Sequence, residues 1–135
     1  MEDARKVNLG SPEKGSTRVI NQYIHPEVTD SCQLTMGYTV VDPNNVWNTM
    51  PAHLHDRRME VYFYCNFPEN EIVFHFMGEP QETRHLVVKR EEAVISPSWS
   101  IHGGAGTTNY CFIWGMAGEN KDFGDMNVIP LAEMK

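Results

Sequence analysis

Long apolar runs are missing from this 135-residue sequence, and none of its apolar stretches nears the length that crosses a bilayer as a helix. An excess of positive charge is missing too. Acidic residues number 18 against 11 basic ones, for a formal net charge of −7. A protein that neutralises nucleic-acid phosphates needs the opposite balance, so nucleic acid is excluded as a partner. Cysteine is scarce. Cys32, Cys65 and Cys111 are odd in number, widely spaced and free of any Cys-x-x-Cys. That pattern excludes a zinc ribbon, a thioredoxin-type site and a disulfide framework. Cys65 and Cys111 sit in strand-like runs, where a free buried thiol is expected. Helical periodicity is weak throughout, which argues against an α/β layer fold. No apolar stretch follows the charged start, Met1 to Lys6, so no secretory signal is expected and the cytoplasm is the expected location.

What remains is an ordinary globular composition, 41% apolar and 21% charged. The length suits one domain with its own core. Residues 1–16 are polar and punctuated by Gly10, Ser11, Pro12 and Gly15, and are expected to be a flexible tail. Residues 17–135 are expected to form a single domain. Within it, short runs rich in β-branched and aromatic residues alternate with turn clusters. Strands are predicted near Arg18–Ile24, Cys32–Val41, Met59–Asn66, Glu71–Met77, Thr83–Lys89, Ala93–Ser96 and Tyr110–Met116. Asp42-Pro43-Asn44-Asn45, Gly78-Glu79-Pro80 and Gly103-Gly104-Ala105-Gly106 supply breaks. Short helical turns are expected at Pro26–Ser31 and Leu131–Met134. The class is all-β, as a sandwich or small barrel. By the strand period of two, Tyr110, Phe112, Trp114 and Met116 share a face, as do Leu34, Met36, Tyr38 and Val40.

Two of the six histidines lie in one short segment, His53-Leu54-His55. On a strand both imidazoles project from the same side. A pair of imidazoles suits a divalent transition metal better than an apolar core. Glu60 follows five residues after His55, which on one continuous strand would turn it to the opposite face. A bend at Asp56-Arg57-Arg58 removes the conflict and makes Glu60 an oxygen ligand. His102, after a Pro-bearing turn and before a Gly-rich stretch, completes a set of His53, His55, Glu60 and His102. Such a set leaves coordination positions open, which marks a catalytic or binding metal rather than a structural one. Tyr62 and Tyr64 share the parity of Glu60 and are expected to face the same interior. His75 is expected to be a satisfied strand histidine.

The spacing resembles the cupin signature, with His53, His55 and Glu60 in its first motif and Pro97 and His102 in its second. Trp99 stands where that second motif usually has glycine. A narrower group is matched more closely. The stretches Trp47-Asn48-Thr49-Met50-Pro51, His55 to Tyr64, Gly78 to His85, Ala93 to His102 and Phe112 to Asn120 resemble the 5-keto-4-deoxyuronate isomerases of pectin breakdown. The match runs from about Arg18 to near the C-terminus. Family members are about twice this length, and the resemblance is to their C-terminal, metal-bearing half.

The resemblance implies a cupin-type antiparallel β-barrel, a jelly roll. It implies one zinc ion on His53, His55, Glu60 and His102, and a homo-oligomer. The implied reaction interconverts 5-dehydro-4-deoxy-D-glucuronate and 3-deoxy-D-glycero-2,5-hexodiulosonate, an aldose–ketose isomerisation without net redox change. Tyr62 is expected to handle a proton or orient substrate beside Glu60. The substrate is a deoxy-keto-uronate, so a guanidinium should meet its carboxylate, and Arg57, Arg58 and Arg84 are the candidates. Two other classes remain open at this point: an iron- or nickel-dependent cupin dioxygenase, and a sugar-acid-binding fragment without turnover.

Overall fold

A computed structural model describes residues 3–49, 51–119 and 121–135. Met50 and Asn120 of the stretches quoted above, and Met1 and Glu2 of the expected tail, lie outside them. The described residues form an all-β structure in which every strand pair is antiparallel. The strands are β1 (Arg5–Leu9), β2 (Arg18–Ile24), β3 (Leu34–Val41), β4 (Trp47–Asn48), β5 (His53–His55), β6 (Arg58–Cys65), β7 (Val73–Glu79), β8 (Glu82–Val88), β9 (Ala93–Ser96), β10 (Ile101–Gly106), β11 (Cys111–Gly118) and β12 (Met126–Val128). They assemble as a 6-stranded sheet in the order β1-β2-β3-β11-β6-β9, a 4-stranded sheet in the order β4-β10-β7-β8, and a 2-stranded β12-β5 ribbon. No helix of the described residues is long and apolar enough to cross a membrane.

The inner face of the larger sheet follows from strand parity. On β6, Arg58, Glu60, Tyr62 and Tyr64 are buried and the residues between them are only partly so. Across the ladder Glu60 lies opposite Met116, Tyr62 opposite Trp114 and Tyr64 opposite Phe112. These aromatic rows carry the hydrophobic core, together with Val41, Phe67, Val73, Val88, Val94 and Tyr110. Aromatic rings dominate it because each buries a large apolar area. Leu34, Met36, Tyr38 and Val40 do share a face, but it is the outer one. Thr35, Gly37, Thr39 and Val41 are the buried positions of β3. Small inward residues make room for Trp114, whose indole N–H donates to Thr39 Oγ1 at 3.1 Å.

Two expectations are corrected. The stretch 1–16 is not a tail along its length: β1 pairs with β2 in the register Arg5↔Gln22 to Leu9↔Arg18. Gly10 and Gly15, at φ 83° and 60°, turn the chain between the two strands around a 3₁₀ turn at Pro12–Lys14. Glycine fits there because other residues resist positive φ. The Gly103–Gly106 run is part of strand β10 rather than a break. A side chain at Gly104 would crowd the hydroxyls of Tyr110 and Tyr64, at 2.9 and 3.1 Å from its first carbon. Close approach of the backbone to that aromatic row, not turn formation, explains the glycine. The short helical turns expected at Pro26–Ser31 and Leu131–Met134 take the form of a hydrogen-bonded turn at residues 26–28 on the His25 carbonyl and a single 3₁₀ turn at Leu131–Glu133.

Gly37 offers a test of this packing. It sits on β3 opposite Trp114, and a methyl group there would meet the indole ring and the Asn21 carbonyl. Gly37→Ala should therefore destabilise the domain by about 1–3 kcal/mol through overpacking. Urea denaturation of the two proteins measures the difference, and equal midpoints would refute the packing described.

Candidate metal centre

β5, β6 and β10 bring the chemistry together. His53 and His55 flank Leu54 on β5 and are both buried, with Leu54 partly exposed between them. The chain turns at Asp56 and Arg57, and β6 then carries Glu60 inward from a different direction. His102 enters on β10, which pairs with β7. One ligand atom from each of His53, His55 and His102 lies within 4.8 Å of the others. His102 Nε2 stands 3.0 Å from His53 Nε2 and 3.2 Å from Glu60 Oε2.

The remaining ring nitrogens are occupied by acceptors. His53 Nδ1 donates to the Pro51 carbonyl at 2.8 Å. His55 Nδ1 donates to Asp125 Oδ1 at 3.1 Å. His102 is bonded to the Ser100 carbonyl. A proton held on one nitrogen leaves a lone pair on the other. The Nε2 lone pairs of His53 and His102 are thereby aimed at each other from hydrogen-bonding distance. Two lone pairs so placed repel unless a cation or a proton lies between them. The donor set therefore fits a transition metal on His53, His55 and His102, with Glu60 at its edge.

Asp125 was not anticipated from the sequence. It precedes β12, which pairs with β5 in the register Met126↔His55 to Val128↔His53. Its carboxylate accepts from both His55 and Arg58, the latter at 2.7 Å. A carboxylate behind a ligating histidine fixes the ring and raises its basicity. No motif marks this aspartate in the sequence; only the β12–β5 pairing brings it to His55.

The site opens into a cavity of about 310 Å³. His53, His55, Glu60, Tyr62 and His102 line it, together with Phe112, Trp114 and Met116 from β11. Arg5, Val7, Leu9, Arg18, Ile20 and Gln22 of the β1–β2 hairpin form another wall. The Tyr62 hydroxyl donates to the Glu60 carboxylate and lies 3.5 Å from Thr49 Oγ1. The three arginines expected to meet a carboxylate are placed elsewhere, and none lines this cavity. Arg57 is 64% exposed and paired with Glu119. Arg84 is 66% exposed and paired with Glu82. Arg58 is buried, but its guanidinium is turned to Asp125 and stacks over the Phe123 ring at 5.5 Å.

A family model described as the KduI/IolB family matches residues 1–129. The chain belongs to the KduI/IolB family. It is 58% identical over 135 residues to the 4-deoxy-L-threo-5-hexosulose-uronate ketol-isomerase of Caldicellulosiruptor bescii, covering 100% of this chain and 49% of that protein. The enzyme of the same name from Shouchella clausii is 59% identical over 133 residues, covering 98% of this chain and 48% of its own length. The chain thus spans about half the length of the curated relatives it matches. Among solved structures, an IolB-like protein from Salmonella typhimurium LT2 superposes with a TM-score of 0.76 at 14% identity, over 90% of this chain and 49% of that one. KdgF from Halomonas sp. gives 0.58 at 15% identity, over 90% and 94%. Both support the cupin-like β fold of this family member.

Burial sets the electrostatics of the KduI/IolB site. It pushes the Glu60 carboxyl up to about 8, against the opposing effect of the Tyr62 hydrogen bond. It lowers His55 to about 4, with help from the Arg58 charge. It also holds His53 and His102 below the ordinary histidine range. The imidazoles are thus neutral, the form that binds metal. Tyr62 is raised well above the usual phenol range by burial and then by Glu60, so it keeps its proton. His75 is fully buried, is lowered to about 4 by burial, and accepts from the Tyr64 hydroxyl at 2.7 Å.

Two outcomes are expected. Asp125→Asn should weaken the binding of a divalent transition metal by about 10–100-fold, and His102→Ala should weaken it further. Competition with a chromophoric chelator measures both; undiminished affinity in the His102 variant would remove that residue from the centre. The second outcome concerns acid stability. The unfolded chain protonates His75 below about 6.5, whereas the folded chain waits until about 4. Between these values the unfolded state holds more protons, so stability falls as pH falls. His75→Gln should reduce that slope by about one proton, or about 1.4 kcal/mol per pH unit. Denaturation of chelator-treated protein from pH 4 to 7 gives the slope, and identical slopes would refute the neutral buried state of His75.

Proposed function

We propose that this chain carries the active centre of a zinc-dependent ketol-isomerase acting on a deoxy-keto-uronate, in the breakdown of pectin and related polyuronates. The observation that carries the reading is the convergence of His53, His55 and His102 on one point, with Glu60 and Tyr62 beside it, inside a cavity of about 310 Å³. High identity to chains named as this isomerase supports the substrate class. A cavity of that size accommodates a six-carbon acid.

Zinc, held by His53, His55, His102 and Glu60, would supply a Lewis acid for the carbonyl and hydroxyl oxygens, with no redox chemistry of its own. The chain's own groups handle the protons. In the isomerisation a proton leaves the carbon beside the carbonyl and returns one carbon over, while a hydroxyl proton crosses between the two oxygens. Tyr62 keeps its proton at neutral pH, and its hydroxyl stands between Glu60 and Thr49. It is the acid that can serve the oxygen side of the reaction. Glu60, hydrogen-bonded to it, takes up and returns protons on the same face. The aromatic wall of Phe112 and Trp114 keeps water from the reacting carbons.

The test is an assay of this chain on the ketouronate released by unsaturated-uronate breakdown. Activity should fall by about 100-fold or more with a chelator and return with zinc, without oxygen consumption. Zinc-loaded protein that leaves the ketouronate unchanged would overturn the reading. Oxygen uptake restored by iron would replace it with a dioxygenase.

A further inference from the structure

We propose that Arg18 receives the carboxylate of the substrate, at the end of the cavity away from the metal centre. The inference rests on the isomerase reading and names the group that gives it selectivity for an acid.

The chemistry requires two separated anchors. A hexosulose-uronate has its aldehyde at one end of a six-carbon chain and its carboxylate at the other. Ketol isomerisation works at the aldehyde end. The metal centre therefore leaves the anionic end unattended, and a cation is needed elsewhere in the same cavity.

Arg18 stands there. It lines the cavity together with His53, His55, His102 and Glu60. Strand register sets it apart from them. The row of Glu60 crosses β11 at Met116. Arg18 lies opposite Val41, whose amide donates to Tyr110 just before β11 begins. The metal ligands and Arg18 thus enter from opposite ends of the same inner face, and Tyr62 lies between them.

The partners of Arg18 make the stronger argument. Arg5, Arg57, Arg58, Arg84 and Arg90 each hold a carboxylate. Among the described residues Arg18 has none. It is 5% exposed, its Nη1 donates to the Ser16 carbonyl at 2.9 Å, and its Nε has no partner. The ionisable groups that act on it are the Tyr110 and Tyr62 phenols, both kept neutral by burial. A buried guanidinium without a counter-ion is costly to the fold. An anionic ligand that supplies the missing charge accounts for its retention, and a guanidinium grips a carboxylate with two charge-assisted bonds. Arg5 also reaches the cavity but is already engaged by Glu27 and Gln22.

The test uses the zinc-loaded full chain with Arg18→Gln and Arg18→Lys. With the ketouronate, Arg18→Gln should raise KM by about 100-fold with a smaller change in kcat, and Arg18→Lys should recover part of the loss. Zinc content should be unchanged. The thermal midpoint of Arg18→Gln should equal or exceed that of the parent, since a buried unpaired charge is removed. A second measurement needs no turnover. D-gluconate, an open-chain acid without a carbonyl, should bind the parent about tenfold or more tighter than neutral D-sorbitol, and Arg18→Gln should erase that preference. A parent that fails to isomerise the ketouronate yet prefers gluconate through Arg18 overturns the isomerase reading and keeps the carboxylate site. Turnover with an unchanged KM, a gluconate preference that survives in Arg18→Gln, or a lowered thermal midpoint in that variant overturns the role of Arg18.

Discussion

Three buried imidazoles can offer lone pairs to one point only if their remaining protons are taken care of elsewhere. That constraint organises the centre. The Pro51 carbonyl, the Asp125 carboxylate and the Ser100 carbonyl each accept from one ring. Each acceptor sits just outside a short strand, so the geometry of three turns decides where the imidazoles point. The strands supply the rest: parity on β5 puts His53 and His55 on one side, and parity on β6 places Glu60 and Tyr62 together. Outer contacts of this kind hold a metal's ligands ready before the ion arrives, so little reorganisation opposes binding.

The electrostatics are arranged locally against the bulk charge. The chain carries a formal −7, a field that repels an anionic sugar at a distance. The cavity inverts that balance. Its lining has Arg5 and Arg18 as cations, while Asp125 lies behind His55 and is spent on Arg58. Glu60, the acid inside, is held largely neutral by burial in the absence of a metal. A small acid that reaches the mouth thus meets a wall unlike the outer surface.

Local patterns carried the parts of this site that lie close together in sequence. His53 and His55 are two apart, and the strand period alone puts them side by side. The inward set of Glu60, Tyr62 and Tyr64 follows from the same period, and the buried row Tyr110, Phe112, Trp114, Met116 likewise. What stayed hidden depends on pairing between distant segments. Asp125 is an ordinary loop aspartate until β12 docks on β5. Arg18 lies buried on the inner cavity where β1 pairs with β2, and β1 is short, polar and flanked by turn residues. Gly103–Gly106 has turn composition, yet inside a strand Gly104 serves close approach to Tyr64 and Tyr110, and Gly106 to Tyr110. Arg57 and Arg58 adjoin the metal motif, but one ends in solvent and the other behind a ligand, since Arg57 sits in the turn before β6 and Arg58 on the buried face of that strand.

The docking of β12 on β5 has a consequence for how the protein is made. His53, His55, Glu60 and His102 all leave the ribosome before Asp125, and the strand that brings it to His55 comes later still. During synthesis the ligands exist for a time without the carboxylate that orients one of them. A metal held in this geometry would therefore have to wait for residues 125–128 to reach β5.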